Sequence, residues 1–541
     1  MAHAPIIADL RRDLGPDNVL HAPSELAVYD CDAFTVHRHR PNAVVFPHST
    51  EQVAAVVKTC GRHQMPIIAR GAGTSLAGGC TPIMGGVVVM LTRMKRVLEI
   101  RVADRMALVE AGVLNIELAR RLMGTGYHYA PDPSSQGAST IGGNVATNAG
   151  GPHTLKDGVT VNHVLGFEAV LADGSLLKVG PVEDPASLDL QAVFCGSEGT
   201  LGIVTKAWVR LTRNPEDCCT LRAVFASVDD ATATVSQIIA AGIIPAAMEL
   251  MDQGILGAVE EAFHFGFPAD AGAILIIEVD GPAVGLEEKR RRIMEFCETN
   301  HAREVLAAQT AKERQTLWKC RKLSVGAVGR LSNSYIIQDG VVPRTKLPHI
   351  LRRIVEIAKE YNVRIVNVAH AGDGNVHPIL LFDERNGEEV QRALAAGRKL
   401  LAECIDCGGS VTAEHGVGIE KLEFMDKLFS PADLAAMRWV REAFDPHGSM
   451  NPGKLIPACL PETPMTLATA DLLPLCDTAA PADEASLADV IRRAASDRRP
   501  VYPIGGGTRL SYGLPPSTPG IGLATTGLNR LIDHAADDMT V

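Results

Sequence analysis

The sequence predicts an α+β protein of several domains, and three observations carry that prediction. Short alternating strands joined by Gly-rich turns occupy the chain up to Arg213-Asn214-Pro215. Beyond that point longer helices alternate with strands, and near the C-terminus the first helix–strand–turn unit recurs. At about 150 residues per domain, 541 residues leave room for several cores. Apolar residues make up 46% and charged residues 21%, which excludes wholesale disorder and a fibrous repeat. A net charge of -11, no basic block and few aromatic residues argue against an extended nucleic-acid surface. An anionic substrate must then be attracted by local cations.

Residues 1–40 form an N-terminal segment in which MAHAPIIADLRRDLGPDN breaks into charge and Gly-Pro before an apolar signal core can develop, so no export signal is expected. The most apolar stretch, from Ile238 to Met251, is interrupted by Gly242 and Pro245 and falls short of the roughly 20 residues of a spanning helix. No transmembrane segment is expected. Residues 41–213 read as one domain, and 214–457 as a mixed helix-and-sheet domain. In the second, helices are expected at Leu286 to Asn300, Thr310 to Leu331 and Lys346 to Tyr361, with strands at Gly272 to Asp280, Val363 to Ala369 and Val376 to Phe382. Residues 458–483, rich in Pro, Thr and Ala, read as a linker.

From 484 to 541 the chain repeats its own beginning. EQVAAVVKTCGRHQMPIIARGAGTSLAGG matches ASLADVIRRAASDRRPVYPIGGGTRLSYG at a shift of 434 residues, down to the turn Gly505-Gly506-Gly507-Thr508. This copy is expected to be incomplete and to expose unpaired strand edges. The twelve Cys, scattered apart from Cys218-Cys219 and a single CxxC at Cys404 and Cys407, suit a reducing compartment better than a disulfide framework.

Arg70-Gly71-Ala72-Gly73-Thr74-Ser75 follows a short strand and lets backbone N–H groups approach an anion. Leu76 breaks the GxGxxG dinucleotide fingerprint. A second turn runs from Thr140 to Gly151, preceded by Pro131-Asp132-Pro133-Ser134-Ser135, and a third from Gly196 to Gly202. Three such turns in one domain suggest a long phosphate-bearing cofactor lying along the backbone.

In order, RGAGTSLAGG, APDPSSQ, TIGGNVATNAGG, GSEGTLGIVT, HAGDGNVHP, AEHGVG and MNPGKL resemble the FAD-linked D-2-hydroxyacid dehydrogenases of the vanillyl-alcohol-oxidase type, with agreement from about residue 20 to 457. The resemblance implies a PCMH-type, two-subdomain FAD-binding domain followed by an α+β cap that holds the substrate, a small D-2-hydroxy acid, glycolate first, with D-lactate or D-2-hydroxyglutarate as the alternatives. It places one FAD per chain. The pyrophosphate would lie on Arg70, Gly71, Ala72, Gly73, Thr74 and Ser75. The flavin would run past Pro131, Asp132, Ser134, Ser135, Gly142, Gly143, Asn144, Thr147 and Asn148, with Gly199 and Ile203 near the ring. Relatives with covalent flavin often carry His where this chain has Thr74, so FAD is expected to be noncovalent. The tail resembles the start of a second, smaller flavin subunit of the same kind of complex. The resemblance further implies an iron–sulfur partner passing electrons to quinone, and a cytoplasmic location, peripheral to the membrane through partners.

Val363 to Ala371 and Val376 to Phe382 read as two strands around the loop Gly372-Asp373-Gly374-Asn375, so that Ala371 faces Val376 and His370 faces His377. Opposed residues stand about 5 Å apart, close enough for two imidazoles to share one divalent metal, Zn or Mn/Fe. Glu414 would be the third ligand. The same spacing also fits two ordinary polar residues of an exposed hairpin. By the AEHGVG match, His415 is implied as the base that takes the substrate hydroxyl proton. Arg321 matches the position that holds the substrate carboxylate, which a guanidinium suits by geometry. A metal hydrolase using the two His and the Glu, or a non-catalytic flavin-binding module, are the alternatives. The first lacks HExxH and leaves three phosphate-type loops idle.

Overall fold

The structure, a computed structural model, describes residues 4–180, 188–457, 477–504, 520–525 and 528. It divides into two units, the larger comprising residues 1–181 and 191–458 and the smaller 182–190 and 459–541.

In the larger unit, β1 (Val19–Leu20), β2 (Ala43–Val45), β3 (Ile67–Arg70) and β4 (Val87–Met90) form a sheet of order β1-β2-β4-β3, parallel except for β1. Helix α1 (Thr50–Arg62) crosses between β2 and β3. The Ser49 side chain caps it by accepting from the Gln52 N–H, and Val53, Val56, Val57 and Cys60 form the buried stripe that packs on Val45, Val87 and Val89. Full burial of each such valine contributes roughly 1.5–3 kcal/mol. A second, antiparallel sheet runs β5 (Val97–Arg101), β6 (Met106–Glu110), β9 (Ile203–Arg210), β7 (Val164–Val170), β8 (Leu176–Val179), and carries the short helix α2 (Ile141–Thr147) against it.

The cap is one antiparallel sheet with helices on both faces. Its order is β13 (Glu304–Ala307), β10 (Asp217–Phe225), β12 (Ala273–Gly281), β11 (Ala247–Asp252), β16 (Arg364–His370), β17 (Asn375–Phe382), β14 (Ser334–Ile337), with β15 (Gly340–Val341) also on β17. One face buries the larger core against α3 (Val228–Ala240), α5 (Leu286–Thr299), α7 (Leu347–Glu360) and α8 (Gly387–Asp406), through Val235, Ile238, Ile293, Ile350, Ile354 and Leu400. The other face packs on α4 (Gln253–Phe263) and α6 (Ala311–Ala327). Because directly paired residues share a face, the register lines up Thr220, Glu278, Glu249, His370 and His377 on this second side of the sheet.

The β16–β17 hairpin departs from the sequence expectation. Ala369 pairs with Val376, Val368 with His377, and His370 with Asn375, so the loop is Ala371-Gly372-Asp373-Gly374 and the register is shifted by two. Asn375 joins the strand while the Asp373 carboxylate accepts its N–H at 3.1 Å. A shift of two preserves the face, so His370 and His377 remain neighbours, but diagonal ones, with ring centroids 5.0 Å apart. Both are buried, which removes the exposed-hairpin alternative.

The smaller unit contains β18 (Asp477–Ala479), α9 (Glu484–Ser496), β19 (Val501–Ile504) and β20 (Ile521–Ala524), in a parallel sheet of order β18-β20-β19. Every element sits 434 residues after β2, α1, β3 and β4, from Ala43 matching Asp477 to Val87 matching Ile521, and the strand order is the same. The repeat therefore begins seven residues before Glu484, inside the segment expected to be a linker. A three-residue strand is too short to show alternation, which is why the sequence hides it. The central strand β20 is paired on both sides, and β18 and β19 are the edges of this sheet among the described residues. The turn Gly505 to Thr508 lies outside the described residues.

Candidate active site

The three Gly-rich turns and the second face of the cap sheet border one cavity of about 910 Å³, at the upper end of the usual range for bound small molecules. Gly71, Ala72, Gly73, Thr74, Ser75, Ser134, Ser135, Gly142, Gly143, Asn144, Thr147, Gly199 and Ile203 line it. A Cβ on Gly71 would stand 2.3 Å from the Thr140 hydroxyl, which caps α2 by accepting from the Gly143 N–H at 3.2 Å. Gly73 has φ +76°, and a Cβ there would strike the Arg70 guanidinium at 2.3 Å. The backbone thus passes where side chains cannot, leaving the cradle that a dinucleotide needs. Arg70 also borders the cavity, but it braces the loop from beneath, donating from Nη1 to the Cys31 carbonyl at 2.7 Å.

Three residues expected at the flavin lie off the cavity lining. The Pro131 carbonyl accepts from Asn115 at 2.9 Å, Asp132 faces His153, and Asn148 closes α2 in the left-handed conformation while its side-chain oxygen accepts from the Val161 N–H.

On the cap side, Arg321, His377, Glu414 and His415 border the same cavity, and His370 lies immediately behind. The Nε2 atoms of His370 and His377 stand 3.4 and 3.3 Å from Glu414 Oε1. A tetrahedral ion with bonds of about 2.0–2.1 Å holds its ligand atoms about 3.3–3.4 Å apart, so these separations are those of a metal's ligand set. Both Nδ1 atoms donate elsewhere: His370 to Glu249 Oε1 at 2.7 Å and His377 to the Gln338 carbonyl at 3.2 Å. That orients each Nε2 lone pair toward the shared point. Glu414 Oε2 is buried without a partner. The residues present fit a divalent cation. Asp339, His377 and His415 make a second cluster of ligating atoms. However, Asp339 Oδ2 already accepts from Thr412 Oγ1 and the N–H groups of Ala413, Glu414 and His415 at 2.7–3.0 Å, with the Lys421 ammonium 3.6 Å away.

That buried carboxylate shapes the loop from Thr412 to His415. Burial pushes Asp339 up, but His415, Lys421 and His377 outweigh it and hold the carboxyl below its usual range. His415 stacks on His377 at 5.1 Å, and burial pushes its imidazole down to about 4, so it is neutral at neutral pH. Its Nδ1 has no partner. Arg321, only 2% exposed, donates from Nε to Glu249 Oε2 at 2.6 Å. One carboxylate therefore steadies both Arg321 and His370. Burial raises Glu249, yet His370 and Arg321 outweigh this and hold it below the ordinary range. The exposed Arg38 and Lys322 also border the cavity, providing local cations in an acidic protein.

Three comparisons bear on this arrangement. The family described as FAD linked oxidases, C-terminal domain, matches residues 214–455, and the FAD binding domain family matches 41–180 and again 478–541. Glycolate oxidase subunit GlcD of Escherichia coli (strain K12) is 42% identical over 84% of this chain and 91% of its own length. The chain belongs to the FAD-linked oxidases. The same subunit of Bacillus subtilis (strain 168) is 39% identical over 82% of this chain and 94% of its own length, and D-2-hydroxyglutarate dehydrogenase of Stutzerimonas stutzeri is 31% identical over 85% and 100%. Among solved structures, p-cresol methylhydroxylase superposes with a TM-score of 0.69 at 18% identity, covering 83% of this chain and 96% of that one. The PCMH-type fold is thereby shown, and FAD is the cofactor of this FAD-linked oxidase. Among its described residues no helix is long and apolar enough to cross a membrane.

Sequence reasoning missed Glu249, Asp339 and Glu198. Glu249 had a signal, a charge flanked by apolar residues in the strand Ala-Met-Glu-Leu-Met-Asp at an inward position. Glu198, also on the cavity, accepts from the N–H groups of Val417 and Gly418 at 2.7 and 2.9 Å and ties the third Gly-rich turn to the loop that carries Glu414 and His415. In the CxxC, Cys404 is buried in the cap core and burial pushes its thiol up to about 12, which disfavours the thiolate that redox exchange needs.

Proposed function

We propose that this FAD-linked oxidase oxidises a small D-2-hydroxy acid, glycolate or D-lactate, to the 2-oxo acid. The observation that carries the reading is the convergence of Arg321, His415 and the His370–His377–Glu414 cluster on the cavity bordered by the three Gly-rich turns. FAD bound there, noncovalently since Thr74 offers no linking imidazole, supplies the hydride acceptor. Arg321 holds the substrate carboxylate with the part of its guanidinium that Glu249 leaves unbonded. His415 takes the hydroxyl proton as the hydride leaves the α-carbon. A divalent cation held by His370, His377 and Glu414 would supply Lewis acidity toward the substrate hydroxyl. Val325, one helical turn beyond Arg321, joins Ile337 and Val368 as an apolar part of the cavity wall that suits the methyl group of D-lactate.

The Escherichia coli relative is named as a subunit. The assembly we infer for this chain includes a second flavin subunit, whose opening the 477–541 repeat resembles, and an iron–sulfur subunit leading to quinone. We place the protein in the cytoplasm, peripheral to the membrane through those partners.

Anaerobic mixing of the purified protein with glycolate, D-lactate, L-lactate and D-2-hydroxyglutarate tests the reading by the bleaching of flavin absorbance. Glycolate and D-lactate should bleach it, and His415→Ala should slow the step by about 10²- to 10⁴-fold. A flavin that no 2-hydroxy acid reduces would overturn the proposal. Flavin remaining in the pellet after acid precipitation would overturn the noncovalent assignment.

A further inference from the structure

Asp132, next to the cavity-lining Pro133, Ser134 and Ser135, belongs to an array that runs from the flavin loop into the cap. Its Oδ2 lies 3.0 Å from His153 Nδ1. On the far side of the ring, His153 Nε2 lies 3.7 Å from Glu278 Oε1, and the ring packs on the Trp318 indole at 5.3 Å. Glu278, 2% exposed on β12, accepts from Thr220 Oγ1 and Trp318 Nε1 at 2.6 Å each, and from two nitrogens of Arg314 at 2.8 and 2.7 Å. Arg314, Trp318 and Arg321 stand at i, i+4 and i+7 of α6, one face of the helix. Two carboxylates on the sheet thus clamp that face: Glu278 takes Arg314 and Trp318, and Glu249 takes Arg321. His153 is the piece that joins this clamp to the flavin loop.

The charges make a cation at His153 necessary. Glu278 has Arg314 to balance it, whereas no other cation contacts Asp132 among the described residues, and Asp132 Oδ1 is buried without a partner. A neutral side chain at 153 would leave the Asp132 carboxylate uncompensated in a largely desolvated place. Burial opposes the imidazolium, but Asp132 and Glu278 outweigh it and raise the group well above its ordinary value. The residues just after His153 anchor the same segment to the cap: Leu155 packs into the cap core and Lys156 ion-pairs with Asp280.

We propose that His153, as a cation between Asp132 and Glu278, is a positioning residue that fixes the flavin loop relative to Arg321 and thereby sets how the substrate α-carbon meets the cofactor. The inference rests on Arg321 holding the substrate carboxylate. Its signature is a fall in the limiting rate of flavin reduction with little change in substrate affinity, because the carboxylate site itself is intact and only its placement has moved.

The test uses the FAD-loaded enzyme and rapid-mixing kinetics with D-lactate and glycolate. His153→Gln should lower the limiting rate about 10- to 100-fold, with Kd for the substrate changed less than about threefold and FAD content retained. His153→Lys, which keeps a cation, should recover most of that loss. Asp132→Asn should reproduce the His153→Gln defect, and the double variant should be no slower than either single one. A wild-type limiting rate in His153→Gln overturns the proposal, as do equal defects in the Gln and Lys variants or fully additive losses in the double variant. Arg321→Lys, run alongside, separates the two ideas. It should weaken substrate affinity, and unchanged affinity there would refute the carboxylate role of Arg321 whatever His153 does.

Discussion

Glu249 and Arg321 form a salt bridge at 2.6 Å with both side chains almost wholly removed from solvent, 0% and 2% exposed. Such a pair stabilises little against an apolar replacement, but breaking it leaves a buried charge, at a cost of about 3–5 kcal/mol. Here the same carboxylate also receives His370 Nδ1, so one substitution should disturb two functions. We expect Glu249→Gln to weaken substrate affinity through Arg321 and divalent-metal affinity through His370, the latter by about 10- to 100-fold. Metal titration and substrate Kd on the same preparation check this. A variant changed in only one of the two would show that Glu249 does not couple them.

His377 is the member common to both ligand clusters. His377→Ala should therefore abolish stoichiometric metal binding while FAD stays bound, since the Gly-rich turns that line the cavity lie on other elements than the strand of His377. Elemental analysis beside absorbance reads both quantities. Asp339→Asn distinguishes the clusters: if the cation sits on His370, His377 and Glu414, this variant retains it, and loss of metal would move the site to Asp339 and His415.

The close approach of Gly71 to Thr140 predicts a reciprocal pair of effects on the cofactor. Gly71→Ala places a methyl 2.3 Å from the Thr140 hydroxyl, so the first turn or the α2 cap must shift, and FAD should bind at least about tenfold more weakly. Thr140→Ala alone loses the cap, at about 1 kcal/mol of stability. Combined with Gly71→Ala, it should restore part of the FAD affinity. Equal affinity in the single and double variants would mean that the clash is not what limits binding.

These relationships differ in how far the sequence reveals them. The three Gly-rich turns are legible because their glycines cluster in sequence, and Gly73 answers to its own φ of +76° and to Arg70 three residues before it, although Gly71 and Gly142 are required by Thr140 and Ala111 far along the chain. The pairing of His370 with His377 is half legible, since period 2 keeps both on one face under a register shift of two, yet strand alternation cannot say whether Asn375 belongs to the loop or the strand. Asp339 is invisible in the sequence. Its four hydrogen bonds reach 73 to 76 residues along the chain, and nothing near Gln338-Asp339-Gly340 announces them. Asp132 illustrates the opposite failure. It belongs to a motif that suggests the flavin, and the fold turns its carboxylate to His153 instead. The 434-residue repeat is legible in its helix and Gly-rich turn, but not in its three-residue first strand.

Glu198 gives the protein a pH-dependent stability that the other site carboxylates do not share. It sits at the cavity with its two oxygens on the Val417 and Gly418 N–H groups, and burial pushes its carboxyl up to about 7 although those bonds and the Lys421 and Lys454 charges oppose the rise. A carboxyl raised in the folded state binds its proton more tightly there than in the unfolded chain. Its contribution is therefore greatest below the unfolded value of 4.5 and is lost as pH rises from there through about 7. Glu198→Gln, which cannot ionise, should remove this loss. Thermal unfolding followed from pH 4.5 to 8 should show the wild type losing stability relative to Glu198→Gln across that window. Parallel curves for the two proteins would mean that Glu198 is ionised throughout and that the N–H groups of Val417 and Gly418, rather than burial, govern its charge.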